Sequence, residues 1–419
     1  MQRSKFLVFI ILIIWFVISF VTNIIGPLMP IIIETYQLSL TMAAFLPFSF
    51  FLAYGITSIP AGMLIEKMGE KKAMLIAFML NFLGSMALAA NPTYITALFS
   101  LFTIGIGMAM LQVIINPLMR TVGGEEHYAF YSVLAQLVFG LGSFVSPFVF
   151  TYMTSAEFTG NTNGGIVQFL NSLVNNNMQW TILYWLFGII FISIFILISS
   201  LSIPKVEYNE DEKAGTADVY LGLLKNKSVI LFFVGIIAYV GTEQSLANWM
   251  SEFLKQYHQV DPVTQGAQAV AWFWGLMSVG CLLGLALLKV IDSKLVLKGA
   301  ALITFIALTL ALFGSAEVSF YAFMGSGFTI SVMFSIIFSL ALNSISSHHG
   351  SFSGILCTGI FGGALVPLVV GSLGDILGLR YAMMFLYITI GYILFLAFYA
   401  KPLINNKTIS IKELFAGKK

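Results

Sequence analysis

The stretch IPAGMLIEKMGEKK, residues 59–72, separates two long apolar segments of the chain. Gly62 is a small residue of the kind that lets membrane helices pack closely, and Gly69 permits a tight turn. Glu66 stands at a predicted helix end, where it can pair with a cation such as Arg120. The stretch therefore predicts a short charged loop between two membrane helices. Its charges either form a gating latch that involves Glu66 and Arg120, or serve only to orient the helices.

The composition extends this interpretation to the whole chain. Of 419 residues, 59% are hydrophobic and only 9% are charged, whereas soluble domains are about 45–50% apolar and about 25% charged. A membrane helix needs roughly 20 mostly apolar residues. Twelve such segments are centred near residues 17, 53, 83, 107, 140, 190, 240, 279, 305, 330, 361 and 391. The sequence predicts an all-α membrane protein of twelve transmembrane helices in two six-helix halves, with no room for a soluble catalytic domain.

The positive charges predict the orientation of these helices. If both termini are cytoplasmic, Lys255 and Arg380 lie outside and the other 18 of the 20 Lys and Arg residues (20 minus 2) lie inside. This asymmetry matches the positive-inside rule, so we expect a multi-pass protein of the cytoplasmic (inner) membrane. The expected divisions are an N-terminal bundle (1–203), a cytoplasmic linker (204–227), a C-terminal bundle (228–401) and a cytoplasmic tail (402–419).

Polar residues in the fourth segment predict a site within the membrane. Gln112 and Asn116 are four residues apart and share one helix face. Gln112 lies roughly 12 Å from Arg120 along a helix, near mid-bilayer. Polar groups at that depth usually face the interior of the helix bundle. Gln112 either contacts a substrate or hydrogen-bonds between helices as structural glue.

Several motifs occur in the order typical of one transporter family. They are Ile59-Pro60-Ala61-Gly62, Gln112 with Asn116-Pro117, Leu134-Ala135-Gln136, Tyr239-Val240-Gly241-Thr242-Glu243, Ser331–Ser339, and Gly362-Gly363-Ala364 followed by Pro367, Gly371 and Asp375. Together they resemble the fucose–proton symporter family of the major facilitator superfamily, which includes glucose/galactose and N-acetylglucosamine permeases. The resemblance spans roughly residues 20 to 395. It implies a major facilitator fold with a central sugar site.

The chain departs from that family at positions expected to line the pocket. The resemblance places Gly26 where the fucose symporter carries a carboxylate in its first helix, and Gln112 where it carries a glutamate. Cys281 replaces a common arginine. Phe139 and Ile330 replace asparagines. We therefore expect a drier pocket and a coupling scheme that does not use two carboxylates.

Glu243 is the candidate coupling residue. It lies about 15 residues into the seventh segment, or ~22 Å along a helix, and an ionisable residue at that depth is a functional candidate. It either carries a proton, helps to hold sodium, or anchors the helix structurally. Sodium binding would need a helix break at Gly241, so that Gln244 and Asn248 could turn toward Glu243.

Aromatic and amide residues complete the predicted substrate-contacting set. Trp249 and Trp274, with nearby Trp272, offer stacking surfaces, although tryptophans also populate interfacial belts. Asn23 and Gln136 are the remaining members of this set. We expect no cofactor and no metal, because no nucleotide-binding loop and no metal-ligand spacing is visible.

The leading functional prediction is secondary active transport of a sugar or sugar derivative, as ion-coupled uptake by alternating access. Export of amphipathic molecules and sugar uniport are the alternatives. The expected partners are a small solute, a proton or sodium, and the lipid bilayer, with no nucleic acid, for a monomeric carrier. An enzyme would need clustered acids, histidines or metal ligands at one depth, and none are visible.

Overall fold

The computed structural model describes residues 5–124, 128–155, 165–174, 178–206 and 217–403. Within this part of the chain, twelve helical spans are long and apolar enough to cross a membrane. In chain order, spans 1 to 12 are Lys5–Tyr36, Leu40–Met68, Glu70–Ala90, Tyr94–Gly123, Leu134–Met153, Gln179–Ser200, Lys227–His258, Pro262–Val290, Ser293–Phe313, Ala316–Leu342, His349–Leu377 and Leu379–Tyr399. The predicted number and type of helices are confirmed, and the chain is a multi-pass membrane protein.

The two halves repeat one packing pattern. Span 4 packs against spans 2 and 3, span 3 against span 6, and span 1 against span 5. Adding six to each number gives pairs that are also in contact: span 10 with spans 8 and 9, span 9 with span 12, and span 7 with span 11. Such repetition indicates two related six-helix units. The units meet where span 2 packs against span 11, span 5 against span 8, and span 1 against span 7.

Three spans are interrupted near their middle, where helix ends leave polar backbone groups available. Span 1 consists of Lys5–Thr22 and Ile25–Tyr36. Span 10 consists of Ala316–Ile330 and Met333–Leu342. Span 11 has a 3₁₀ turn, Gly359–Phe361, between His349–Thr358 and Gly362–Leu377.

Span 7 is one unbroken helix from Lys227 to His258, so the break at Gly241 that sodium binding would need is absent. A side chain at Gly241 would overlap Val366 of span 11 and would lie 3.1 Å from the Gly362 carbonyl oxygen. Position 241 therefore requires a glycine, because spans 7 and 11 approach closely there. The glycine signal indicated close helix packing, which sequence alone does not distinguish from a break.

Two shorter helices lie outside the spans: Gly165–Ser172, between spans 5 and 6, and Ala217–Leu223, in the linker. Residues 207–216 of the linker and 404–419 of the tail lie outside the described residues. The four predicted divisions of the chain stay a prediction. We call the face of the bundle that holds Lys5 and Ala400 the terminal face. The other face, which holds Tyr36 and Leu40, is the opposite face.

The turn between spans 2 and 3 depends on one glycine. Gly69 has a φ of +83°, a conformation that side-chain-bearing residues rarely adopt. The predicted tight turn at Gly69 is therefore present. Gly62, in contrast, has no atom of the described residues within 4 Å of an added Cβ. The close helix contact predicted at Gly62 is absent from this structure.

Gly105 gives a direct test of the packing in the first half. An added methyl group would overlap the Phe50 carbonyl oxygen of span 2 and would lie 2.8 Å from Ala53 Cβ. We expect Gly105→Ala to lower the thermal unfolding midpoint of the detergent-solubilised protein. Gly325→Ala is the matched control, because open space surrounds Gly325 and alanine stabilises a helix by about 0.5–1 kcal/mol over glycine. Equal midpoints for the two variants would contradict this account.

Candidate functional site

Glu243 lies close to the midpoint of span 7, within the bundle. Its carboxylate is mostly buried and accepts a hydrogen bond of 3.1 Å from the hydroxyl of Tyr239, one helical turn earlier. The side-chain amide of Gln244 also interacts with this carboxylate. The Tyr239 ring packs against Phe334 of span 10, with 5.7 Å between ring centroids. Tyr239 is thus held by another span while it positions Glu243.

Spans 8 and 10 complete the surroundings of Glu243. Cys281 of span 8 lies within electrostatic range of the carboxylate, and its thiol donates to the Ser331 carbonyl oxygen over 3.3 Å. Ser331 stands at the interruption of span 10, directly after the first of its two helices. The position that resembles a family arginine is therefore occupied by a neutral thiol. The carboxylate of Glu243 is thus contacted by neutral side chains, Tyr239 and Gln244.

The first half contributes polar side chains whose hydrogen-bonding groups are not satisfied by the described residues. Gln112 of span 4 is partly exposed, whereas its neighbours Leu111 and Ile115 are fully buried. Its amide makes no hydrogen bond to the described residues, which disfavours the interhelical-glue interpretation. Gln136 of span 5 is exposed. The side chain of Asn116 lies outside the described residues.

Asn23 stands at the interruption of span 1 and is 4% exposed. Its amide nitrogen donates to the Ser143 hydroxyl of span 5 over 2.7 Å. Its amide oxygen is buried and has no hydrogen-bond partner among the described residues. Buried polar atoms normally find a partner, so the acceptor capacity of this oxygen is left unmet by the described residues.

Gly26 lies one turn beyond this interruption. A side chain there would overlap the Ala247 carbonyl oxygen of span 7. The absence of the family's carboxylate at this position therefore has a steric cause, because the backbones of spans 1 and 7 are in direct contact. Any acidic side chain at residue 26 would have to push the two halves apart.

The three tryptophans have different environments. Trp249 is fully buried, and its indole nitrogen donates to the Pro367 carbonyl oxygen of span 11 over 3.2 Å. Trp272 is 39% exposed and touches Phe144 of span 5 edge to face. Trp274 is 3% exposed, and its indole nitrogen has no acceptor among the described residues. Trp274 thus has a free donor, whereas the Trp249 donor is used between helices.

The predicted gating residues lie at the terminal face. Burial raises the pKa of Tyr220, which lies in the linker helix. A hydrogen bond with Ser351 of span 11 lowers this pKa, whereas the negative charge of Glu66 in span 2 raises it further. Tyr220 therefore lies against span 11 of the second half and within electrostatic range of Glu66 in the first. Arg120 lies in the last turn of span 4. The pairing of Glu66 with Arg120 stays a prediction.

Two members of this site were missed by the sequence prediction. Tyr239 precedes Glu243 by four residues, and that spacing alone signals a shared helix face. Cys281 was treated only as a departure from the family, although its depth matches that of Glu243. Among the described residues, no group of three or more His, Cys, Asp and Glu could hold a metal ion.

Gly26 allows a test of why the family's carboxylate is missing. We expect Gly26→Asp and Gly26→Ala both to lower the thermal midpoint, because even a methyl group meets the span 7 backbone. Gly325→Ala is again the control without a steric conflict. An aspartate variant that matched the wild type in midpoint would show that spans 1 and 7 separate easily and that sterics do not exclude the carboxylate.

The chain is similar in sequence to known transporters. The family model described as Major Facilitator Superfamily matches residues 11–366. The chain is 30% identical over 397 residues to the "Glucose/galactose transporter" of Brucella abortus biovar 1 (strain 9-941), covering 91% of this chain and 90% of that protein. It is 20% identical over 380 residues to the "L-fucose-proton symporter" of Haemophilus influenzae, covering 86% and 88%.

Solved structures share the fold. The Escherichia coli fucose:proton symporter aligns with a TM-score of 0.66 and 19% identity, over 96% of this chain and 100% of that one. A bacterial homologue of the human lysosomal transporter Spinster, in an inward-facing and unoccupied conformation, aligns with a TM-score of 0.75 and 14% identity, over 95% and 97%. At these identities the likeness concerns the arrangement of the helices.

Proposed function

Because this chain belongs to the Major Facilitator Superfamily, we propose that it carries a sugar or sugar derivative across the cytoplasmic membrane by alternating access. The observation that carries this proposal is the near full-length similarity to a glucose/galactose transporter. The family and these relatives are transporters, and the chain is not an enzyme. In this scheme the two halves rock about a central site, which they expose to one side of the membrane at a time.

Sugar binding would use the polar atoms that the bundle leaves without partners. Sugar hydroxyls both donate and accept hydrogen bonds, so they match the Gln112 amide and the orphaned Asn23 oxygen. The ring of Trp274 is buried, and its indole N–H is a donor without an acceptor among the described residues. Hydrogen bonds to otherwise unsatisfied groups favour a polar ligand strongly, because without the ligand these groups stay unpaired.

Proton coupling through Glu243 is the mechanism that the geometry supports best. A carboxylate at mid-span, held by a tyrosine hydroxyl, can accept and release a proton as the two sides open in turn. Gly26 and Gln112 cannot titrate. The sodium alternative loses support because span 7 is unbroken, so its backbone carbonyls remain in helical hydrogen bonds.

Two other modes of transport remain as alternatives. Uniport would leave Glu243 a structural role, in which it only anchors Tyr239. Export of amphipathic molecules rested on an apolar pocket. However, Ile330 is 1% exposed and Phe139 packs against Trp15, so these two substitutions serve helix packing more than pocket lining. The structure therefore offers little support for export.

We assign the terminal face to the cytoplasm. The positive-inside rule supports this orientation, since 18 of the 20 Lys and Arg residues then lie inside. Glu66 and Arg120 would accordingly form a cytoplasmic gate whose contacts change during transport. A thermal-shift screen against sugars, amino sugars and sugar derivatives tests the substrate class, because a ligand that binds the folded state raises its unfolding midpoint.

Gln112 tests the binding site. We expect Gln112→Ala to weaken sugar binding roughly ten- to a hundredfold, because a polar group left unpaired costs about 1–3 kcal/mol. Isothermal titration with a sugar from the thermal-shift screen measures this loss. Gln256→Ala is the control, since Gln256 hydrogen-bonds to Glu252 near the opposite face. Unchanged binding in a well-folded Gln112→Ala protein would assign Gln112 to structure alone.

Glu243 tests the coupling mechanism. In proteoliposomes with a proton gradient, we expect Glu243→Gln to lose concentrative uptake but to keep counterflow exchange, which needs no net proton movement. Glu252→Gln is the matched control on the same helix, nine residues nearer the opposite face, where its carboxylate accepts from Gln256. Retained accumulation in Glu243→Gln would remove Glu243 from coupling. A wild type that accumulates sugar only under a sodium gradient would exclude the proton.

A further inference from the structure

The first turn of span 2 is capped by the other half of the molecule. The N–H groups of a first helical turn have no partner within the helix. Ser39 caps its own helix, with its hydroxyl accepting from Met42 N over 3.2 Å. Leu40 N and Thr41 N donate instead to the two carboxylate oxygens of Asp375, over 2.8 and 2.9 Å. Asp375 belongs to span 11, and the Thr41 hydroxyl also donates to it.

Small residues allow Asp375 to reach this helix end. A side chain at Gly371, one turn before Asp375, would lie 2.7 Å from the Leu40 carbonyl oxygen. One at Gly374 would lie 2.7 Å from Leu40 Cδ1. Trp249 of span 7 also lies beside the Gly371 position, while its indole donates to the Pro367 carbonyl. Close packing at Gly371 and Gly374 thus holds span 11 against the start of span 2.

Two further polar contacts join the halves at the opposite face. Lys255 of span 7 forms an ion pair of 2.8 Å with Glu34 of span 1. The Thr151 hydroxyl of span 5 donates to the Val263 carbonyl oxygen over 2.6 Å. The Glu34 side chain is 72% exposed, and an exposed ion pair contributes little. Asp375 is the only one of these groups that accepts several hydrogen bonds at a positive helix end.

We propose that Asp375 is the residue that closes the opposite face, by capping span 2 across the two halves. This role rests on the proposed alternating-access function, and it adds a gate that the Glu66 region does not supply. Separation of spans 2 and 11 would transfer Leu40 N and Thr41 N from a carboxylate to water. Because Asp375 is solvent-exposed, water can replace it as partner, so the closure is reversible and not permanent.

Distance measurements between spin labels test this gate without any substrate. Both native cysteines, Cys281 and Cys357, are first replaced by alanine. Labels are then placed at Asn91→Cys in the first half and Glu317→Cys in the second, both exposed on the opposite face. With Asp375→Asn, we expect the ratio of long to short distances to rise about five- to tenfold, as loss of a charge-assisted hydrogen bond would cause.

A control of the same chemistry separates gating from folding. Asp292→Asn removes a carboxylate that caps span 9 by accepting from Lys294 N over 2.9 Å, within one half. This variant should leave the label distances unchanged. Thr41→Val keeps the carboxylate but removes one donor, so it should shift the label distances in the same direction by a smaller amount. In the double variant with Asp375→Asn, the combined shift should be smaller than the sum of the two single shifts, because both changes affect the same contact.

An unchanged distance distribution in folded Asp375→Asn protein would overturn the proposal. So would an equal shift in Asp292→Asn. If Asp375→Asn does not fold, an unchanged distribution in Thr41→Val has the same consequence. Failure of the proposed sugar transport would appear separately, as an absence of uptake and of ligand-induced thermal shifts in the wild type.

Discussion

Hydrocarbon offers no hydrogen bonds, and the structure of this protein follows from how its polar groups meet that constraint. Most hydroxyls within the spans donate to a carbonyl three or four residues earlier on their own helix, as Ser58 does to Tyr54 and Thr103 to Phe99. Hydroxyls that are hydrogen-bonded within their own helix need no partner on another span. Asn23, Gln112 and Trp274 are among the described polar side chains that do not follow this rule, and the proposed function assigns their unpaired groups to the solute.

Close approach of backbones is the second consequence of the same constraint. Without a hydrophobic force between helices, contact depends on small residues, and glycines occupy the crossing points between the halves. Gly26 meets span 7, and Gly371 meets span 2. At both places the glycine brings a backbone carbonyl of the other half into contact. The same residues that permit packing thereby bring polar backbone close to the region where the halves must move.

The fold follows from the sequence alone, whereas for the site the sequence supplies candidates such as Glu243. Apolar length predicts each span because the bilayer sets one length for all of them, and the depth of Glu243 follows from counting residues. Contacts between distant segments are not encoded in that count. A glycine such as Gly241 signals either a break or a close neighbour, and only the position of Val366 decides between them. The role of Trp249 likewise depends on the Pro367 carbonyl, which is 118 residues away.

If Glu243 carries the coupling proton, as proposed, its position also limits the work that such a carrier can perform. Of the acidic residues within the spans, Glu243 alone lies near a midpoint, while Glu252 lies six residues from the end of its span. One titrating group moves at most one proton per cycle, so the solute gradient cannot exceed the proton-motive force. One charge across 100 mV is worth about 2.3 kcal/mol, which corresponds to an accumulation ceiling of about 50-fold for a neutral sugar.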